Sequence, residues 1–122
     1  MKVAVTGAGG FLGRHVLQAL RRHEVEIVAC SRRLRPDTGQ PRLRWVELDL
    51  AAPGPRPMQV LGEPDLLMHL AWDGLPRYRE RRHLDRELPD QAAFLDACLD
   101  AGLPRLAVSG TCLEYGLAEG QL

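Results

Sequence analysis

Apolar residues fall along this chain in short, nearly unbroken runs, separated by polar, glycine-rich or proline-rich segments. Residues 2–6 form the first run, β-branched and of strand length, and Gly7-Ala8-Gly9-Gly10 ends it. In residues 11–22 the apolar positions Leu12, Val16, Leu17 and Leu20 recur near helical spacing, which predicts a helix. Residues 25–30 and 43–48 read as second and third strands around a polar loop over 32–41. Pro53, Gly54, Pro55 and Pro57 forbid a long helix over 51–57, although a turn can start at Pro57. Residues 65–70 give a fourth strand, and a charged stretch over 76–87 follows. Residues 88–101 read as a helix with Pro89 in its first turn and Gly102 and Pro104 as its stop. On that helix Leu88, Ala92, Leu95 and Leu99 are the expected sheet-facing residues, and 106–109 supply a fifth strand.

Strands alternating with helices predict a parallel sheet joined by crossovers. Strands that are apolar throughout, rather than alternating, fit a sheet covered on both faces. Within this order Thr6-Gly7-Ala8-Gly9-Gly10-Phe11-Leu12-Gly13 occupies the first strand-to-helix turn. That is the setting in which a glycine triplet binds a dinucleotide. Gly7 allows the tight turn, Gly10 lets backbone approach a pyrophosphate, and Gly13 lets the helix pack closely. The helix N-terminus adds free N–H groups and a positive dipole end. No Gly-Lys-Ser/Thr follows, so a mononucleotide P-loop is not expected. The second strand ends in Cys30-Ser31-Arg32-Arg33-Leu34-Arg35 with no acid. An acid there would hold the ribose 2′-hydroxyl of NAD; Ser31 and Arg32 suit the 2′-phosphate of NADP instead. NADP(H) is therefore expected over NAD(H), with NAD(H) as the alternative.

Composition narrows the picture. The 122 residues are 45% apolar, enough for a packed core. Sixteen basic residues balance 16 acidic ones, a poor match to a nucleic-acid binder. No run nears the ~20 apolar residues of a membrane span, and no secretory signal opens the chain. The cysteines Cys30, Cys98 and Cys112 are widely spaced, which predicts reduced, buried thiols of a cytoplasmic protein and no metal site. All basic residues except Lys2 are arginine.

The Thr6-Gly7-x-x-Gly10-x-x-Gly13 loop is similar to the TGxxGxxG signature of the extended short-chain dehydrogenase/reductases, the NAD(P)-dependent epimerase/dehydratase group. Leu48-Asp49-Leu50, His69-Leu70-Ala71 and the segment from Ser109 to Tyr115-Gly116 resemble further motifs of that family, in its order and over the whole chain. The resemblance implies a Rossmann-type doubly wound parallel sheet, strand order 3-2-1-4-5, with residues 1–122 as its cofactor-binding domain. It implies cofactor contacts from Gly7, Gly10, Phe11, Leu12, Gly13, Ser31, Arg32, Asp49, Leu50, Leu70 and Ala71. Thr111 falls on the family's catalytic Ser/Thr, Tyr115 is structural, His69 has no acid–base role, and Trp72 is wall or core. The substrate it implies is a nucleotide sugar.

The family's Tyr-x-x-x-Lys pair, whose tyrosine is the general acid/base, is not among these residues. Lys2 is the only lysine; Tyr78 is followed four residues on by Arg82, and Tyr115 by Glu119. The reading is thus of a Rossmann domain truncated before its second half and substrate domain, not catalytic on its own. Its fifth-strand edge is expected to associate with a copy or a partner chain. A non-catalytic, redox-sensing NADP(H) module and an enzyme fragment are the alternatives.

Overall fold

The structure is a computed structural model and describes residues 1–36 and 39–110. In chain order it has β1 (Lys2–Thr6), α1 (Phe11–Leu20), β2 (Glu26–Ser31), β3 (Leu43–Glu47), the short α2 (Pro57–Val60) and β4 (Leu66–His69). A π-helical turn (His83–Glu87) then runs into α3 (Leu88–Asp100), and β5 (Leu106–Val108) follows. The five strands pair in parallel in the order β3-β2-β1-β4-β5, with Val3 opposite both Ile27 and Leu66. This is the Rossmann-type order expected above.

Side chains alternate across a strand, so the continuous apolar runs feed two cores. Val3, Val5, Ile27 and Ala29 point to one face, where Leu17 of α1 covers them with Val16 and Leu20 at the margin. Ala4, Val28, Cys30 and Leu67 point to the other, against Phe94 and Cys98 of α3, with Leu61 and Leu103 filling in. Leu61, Leu67 and Phe94 are fully buried, each contributing about 1.5–3 kcal/mol over an exposed position. Cys30 and Cys98 are free and buried, and burial pushes their thiols up to about 12 and about 11. They are core residues, as expected.

Three local readings change. Helix α1 ends at Leu20, because the N–H groups of Arg22 and His23 bond three residues back, to Ala19 and Leu20. The helical path into α3 begins at His83, not Leu88. Pro89 has no N–H and its ring crowds the carbonyl four residues before it, and the wider π turn lies immediately ahead of it. The buried face of α3 is Gln91, Phe94 and Cys98, while Leu88 and Leu99 are about half exposed. The stop at Gly102 is as read: at φ +90 it lets Leu103 N–H reach Cys98 O and its own N–H reach Leu99 O.

Candidate functional site

A cleft of about 1120 Å³ opens where β1, β2, β3 and β4 end at their carboxyl termini. β2 and β4 flank β1 on opposite sides, so the cleft sits where the strand order reverses, the usual ligand position in an open parallel sheet. Its walls come from the glycine turn, the ends of β2 and β3, residues 70–73, and the polar face at the start of α3.

The three glycines of the turn answer different demands. Gly7 stands at φ +68, and a Cβ there would come within 2.8 Å of the Ala71 N atom. Gly13 is buried, and its Cβ would enter Gly7 O and lie 2.7 Å from Ala8 Cα. Both are glycine for reasons internal to the fold. Gly10 has an ordinary extended backbone, φ −76 and ψ −179, and its Cβ would meet only Gly7 O, at 3.3 Å. It faces the cleft as the N-cap of α1, a helix with no side-chain cap and no acid in its first turn.

Of the residues expected at the site, Gly7, Gly10, Ser31, Arg32, Asp49, Leu50, Leu70 and Ala71 line this one cleft. Phe11 and Leu12 do not line it: Phe11 is 76% exposed, edge-on to His15, and Leu12 is about half exposed. Gly13 lies beneath the turn. Thr111, with Cys112 and Tyr115, lies outside the described residues. Asp49 accepts the Ala51 N–H at 3.1 Å and so holds its own turn. Ser31 Oγ donates to Arg33 O at 2.6 Å. His69 is buried, stacked on Phe94, with Nδ1 2.9 Å from Thr6 Oγ1. Burial lowers its pKa, and the Gln91 amide facing it offsets part of that effect. Neither His69 Nε2 nor Gln91 Oε1 makes a hydrogen bond of ordinary geometry.

The arginines after β2 are held in different ways. Arg35 lies over the Trp45 ring and places Nη2 3.5 Å from Gly9 O. Arg32 crosses to Asp73, with Nη1 3.1 Å from Oδ2. Asp73 also takes Arg82 Nη2 at 2.7 Å, and its N–H donates to Glu87 Oε2. Burial alone would raise the Asp73 carboxyl, but the Gly74 N–H and the two guanidiniums outweigh it and hold it below the usual carboxylate range.

Asp73, Glu87 and Gln91 are wall residues that the sequence reading missed. Glu87 and Gln91 are four apart on a helix, a readable spacing, but nothing local joins either to Asp73. Trp72 donates Nε1–H to His83 Nδ1 at 2.9 Å, and His83 Nε2 reaches Arg77 O at 2.8 Å. An indole N–H only donates, so Nδ1 is the accepting nitrogen and Nε2–H the donor. This clip pins the charged stretch beside the cleft, where Arg77 and Arg81 pair with Glu80 and Asp85 and Arg82, Arg86 and Glu87 reach the wall.

A parallel sheet of this order, with a glycine turn and a strand-end cleft, defines the class of fold; comparison with known proteins narrows it. Residues 3–121 match the model of the NAD dependent epimerase/dehydratase family, and the chain belongs to that family. It is 27% identical over 126 residues to a dTDP-6-deoxy-L-talose 4-dehydrogenase (NAD(+)) from Aggregatibacter actinomycetemcomitans, covering all of this chain and 46% of that protein. It is 30% identical to MoeE5, solved in complex with UDP-glucuronic acid and NAD, with a TM-score of 0.69 over all of this chain and 40% of that one. The UDP-Glc/GlcNAc 4-epimerase from Campylobacter jejuni shares the fold, with a TM-score of 0.77 at 18% identity over 94% of this chain and 38% of that one. The chain thus spans less than half the length of these relatives.

Proposed function

We propose that residues 1–122 form a domain whose cleft binds a nicotinamide–adenine dinucleotide, NADP(H) in preference to NAD(H), as the cofactor half of an enzyme acting on a nucleotide sugar. Gly10 carries the reading. The fold asks less of Gly10 than of Gly7 or Gly13, since an added Cβ would need Gly7 O to give by only a few tenths of an ångström, and it stands on the cleft wall at an uncapped helix N-terminus. A diphosphate lying against its backbone supplies a further reason. The N–H groups of Phe11, Leu12 and Gly13 are then the natural phosphate donors, although the first two side chains lie in solvent. Ser31 and Arg32 take the adenosine ribose and its 2′-phosphate, Asp49 and Leu50 the adenine, and Leu70 and Ala71 the length of the dinucleotide. The dehydrogenase relative carries NAD(+) in its name and MoeE5 was solved with NAD; the preference for NADP(H) rests on the absence of an acid at the end of β2 and on the arginines after it.

Hydride exchange is the chemistry such a cofactor supplies when bound. Thr111 is proposed to hydrogen-bond the reacting oxygen of the sugar. Lys2 cannot serve as the family's lysine: its Nζ donates to Gly62 O at 2.8 Å, away from the cleft. These 122 residues are therefore proposed to bind without turnover. Among the described residues no helix is long and apolar enough to cross a membrane, and a cytoplasmic setting is proposed. Association with a copy or partner chain is proposed at β5, which among the described residues pairs on one side only and leaves Val108 55% exposed.

Calorimetric titration with NADPH and NADH tests this reading, on the wild type, Gly10→Ala and Arg32→Ala, with sedimentation of the same samples to report association. NADPH is expected to bind more tightly. Gly10→Ala is expected to lose at least about tenfold in affinity for both cofactors with little change in thermal midpoint, and Arg32→Ala to lose affinity for NADPH alone. Tighter NADH binding would overturn the cofactor preference, and no binding of either would overturn the site.

A further inference from the structure

We propose that Asp73 is a specificity-determining residue of the cleft, a carboxylate that competes with the cofactor's 2′-phosphate for Arg32. The inference rests on the dinucleotide reading above and goes beyond it. Arg32 leaves the end of β2 and Asp73 lies beyond the end of β4, and these strands flank β1 from opposite sides. Their pairing joins the two sides of the cleft. Arg32 presents both terminal nitrogens to the carboxylate, Nη1 to Oδ2 at 3.1 Å and Nη2 to Oδ1 at 3.5 Å. A phosphate would claim that same planar fork, and one guanidinium cannot point to both.

The two partners are not equally free. Asp73 is anchored from the α3 side without help from Arg32. Its N–H donates to Glu87 Oε2 at 3.2 Å and its Oδ2 takes Arg82 Nη2 at 2.7 Å. Glu87 in turn receives Arg82 at 3.4 Å and Gln91 Nε2 at 3.5 Å. Arg32 has no other ion pair among the described residues, and its side chain is 68% exposed. It is the mobile partner. A 2′-phosphate binds at Arg32 only by breaking the pair, whereas a dinucleotide with a free 2′-hydroxyl has no anion to offer it. Asp73 thus reduces the advantage of NADP(H) that the arginine creates, and the acid missing from the end of β2 acts from the end of β4.

The test is a double-mutant cycle read by equilibrium binding. Wild type, Asp73→Asn, Arg32→Ala and the double variant are titrated with NADPH, NADH, 2′,5′-ADP and 5′-AMP. Asp73→Asn is expected to tighten NADPH and 2′,5′-ADP about two- to fivefold, the scale of one exposed ion pair. NADH and 5′-AMP should stay within about twofold. In the Arg32→Ala background the same substitution should change nothing, because the coupling lies in the pair.

A gain that persists without Arg32 would mean a general effect of charge and would overturn the proposal. An equal gain for NADH would mean that the pair bars the cleft to any dinucleotide, and would overturn it too. Unchanged NADPH affinity in a folded Asp73→Asn would overturn it while leaving the dinucleotide reading intact. A wild type that binds none of the four probes would overturn that reading first. Asp73→Ser repeats the arm should the asparagine variant fail to fold.

Discussion

A methyl group added at Gly13 would enter backbone that has nowhere to move, since Gly7 O and Ala8 Cα lie in its path. The same addition at Gly10 would press only on Gly7 O, at 3.3 Å. Alanine favours a helix over glycine by about 1 kcal/mol, so the sign at Gly13 depends on packing. Overpacking against rigid backbone costs about 1–3 kcal/mol and occasionally more. Gly13→Ala is therefore expected to lower unfolding stability by up to about 2 kcal/mol net, read from urea midpoints, despite the better helix former. Equal or greater stability would show that α1 can back away from the turn. At this scale the glycine spacing was readable because Gly10 and Gly13 answer to neighbours within a few residues and Gly7 to its own positive φ, although the close neighbour of Gly7, Ala71, comes from the far end of β4. The partner of Arg32 was not, because Asp73 lies 41 residues on and only the sheet brings them together. Thr111 was placed by resemblance alone.

Helix α3 separates what periodicity settles from what it leaves open. Its stop was legible, because Gly102 and Leu103 end it by local geometry. Its face was not. Leu88, Ala92, Leu95 and Leu99 form a leucine-rich stripe at helical spacing, yet Gln91, Phe94 and Cys98 are the buried positions. A polar glutamine belongs to that face because the helix borders the cleft, where its amide meets Glu87 and faces His69. The turn ahead of Pro89 also sets the phase, and a widened turn has no sequence period to betray it. The two stripes predict opposite mutational outcomes. Phe94→Ala should cost about 3–5 kcal/mol, the price of a large cavity in the core. Leu99→Ala, at a position 47% exposed, should cost less than about 1 kcal/mol. Chemical denaturation of both variants checks this, and a larger loss at Leu99 would reinstate the leucine stripe.

For the whole molecule, the glycine turn and the core under α3 meet at one polar group. His69 ends β4, the strand between β1 and β5. It bonds Thr6 of β1 and stacks on Phe94 of α3, so it joins the glycine turn to the second core. Strand order and two-sided burial were legible because apolar runs and their order reflect burial, and the family motifs lie at strand ends. This cross-connection was not, because a histidine in a strand carries no mark of its partners. It has a consequence for acid stability. Burial lowers the folded-state pKa of His69 beneath its ordinary 6.5. The unfolded chain then binds the extra proton first, so stability rises with pH in this window. The contribution is fully present above about pH 6.5 and is lost as pH falls through the folded value, at most about 1.4 kcal/mol per pH unit. The depressed Asp73 carboxyl acts in a separate window below its ordinary 3.8. Urea unfolding at pH 5, 6, 7 and 8 should show stability falling from 7 to 5 and level from 7 to 8. His69→Gln, although weaker at pH 7 through loss of the Thr6 bond, should lose that slope. An unchanged slope in the variant would place the proton elsewhere and remove His69 as the group that links the glycine turn and the α3 core to pH.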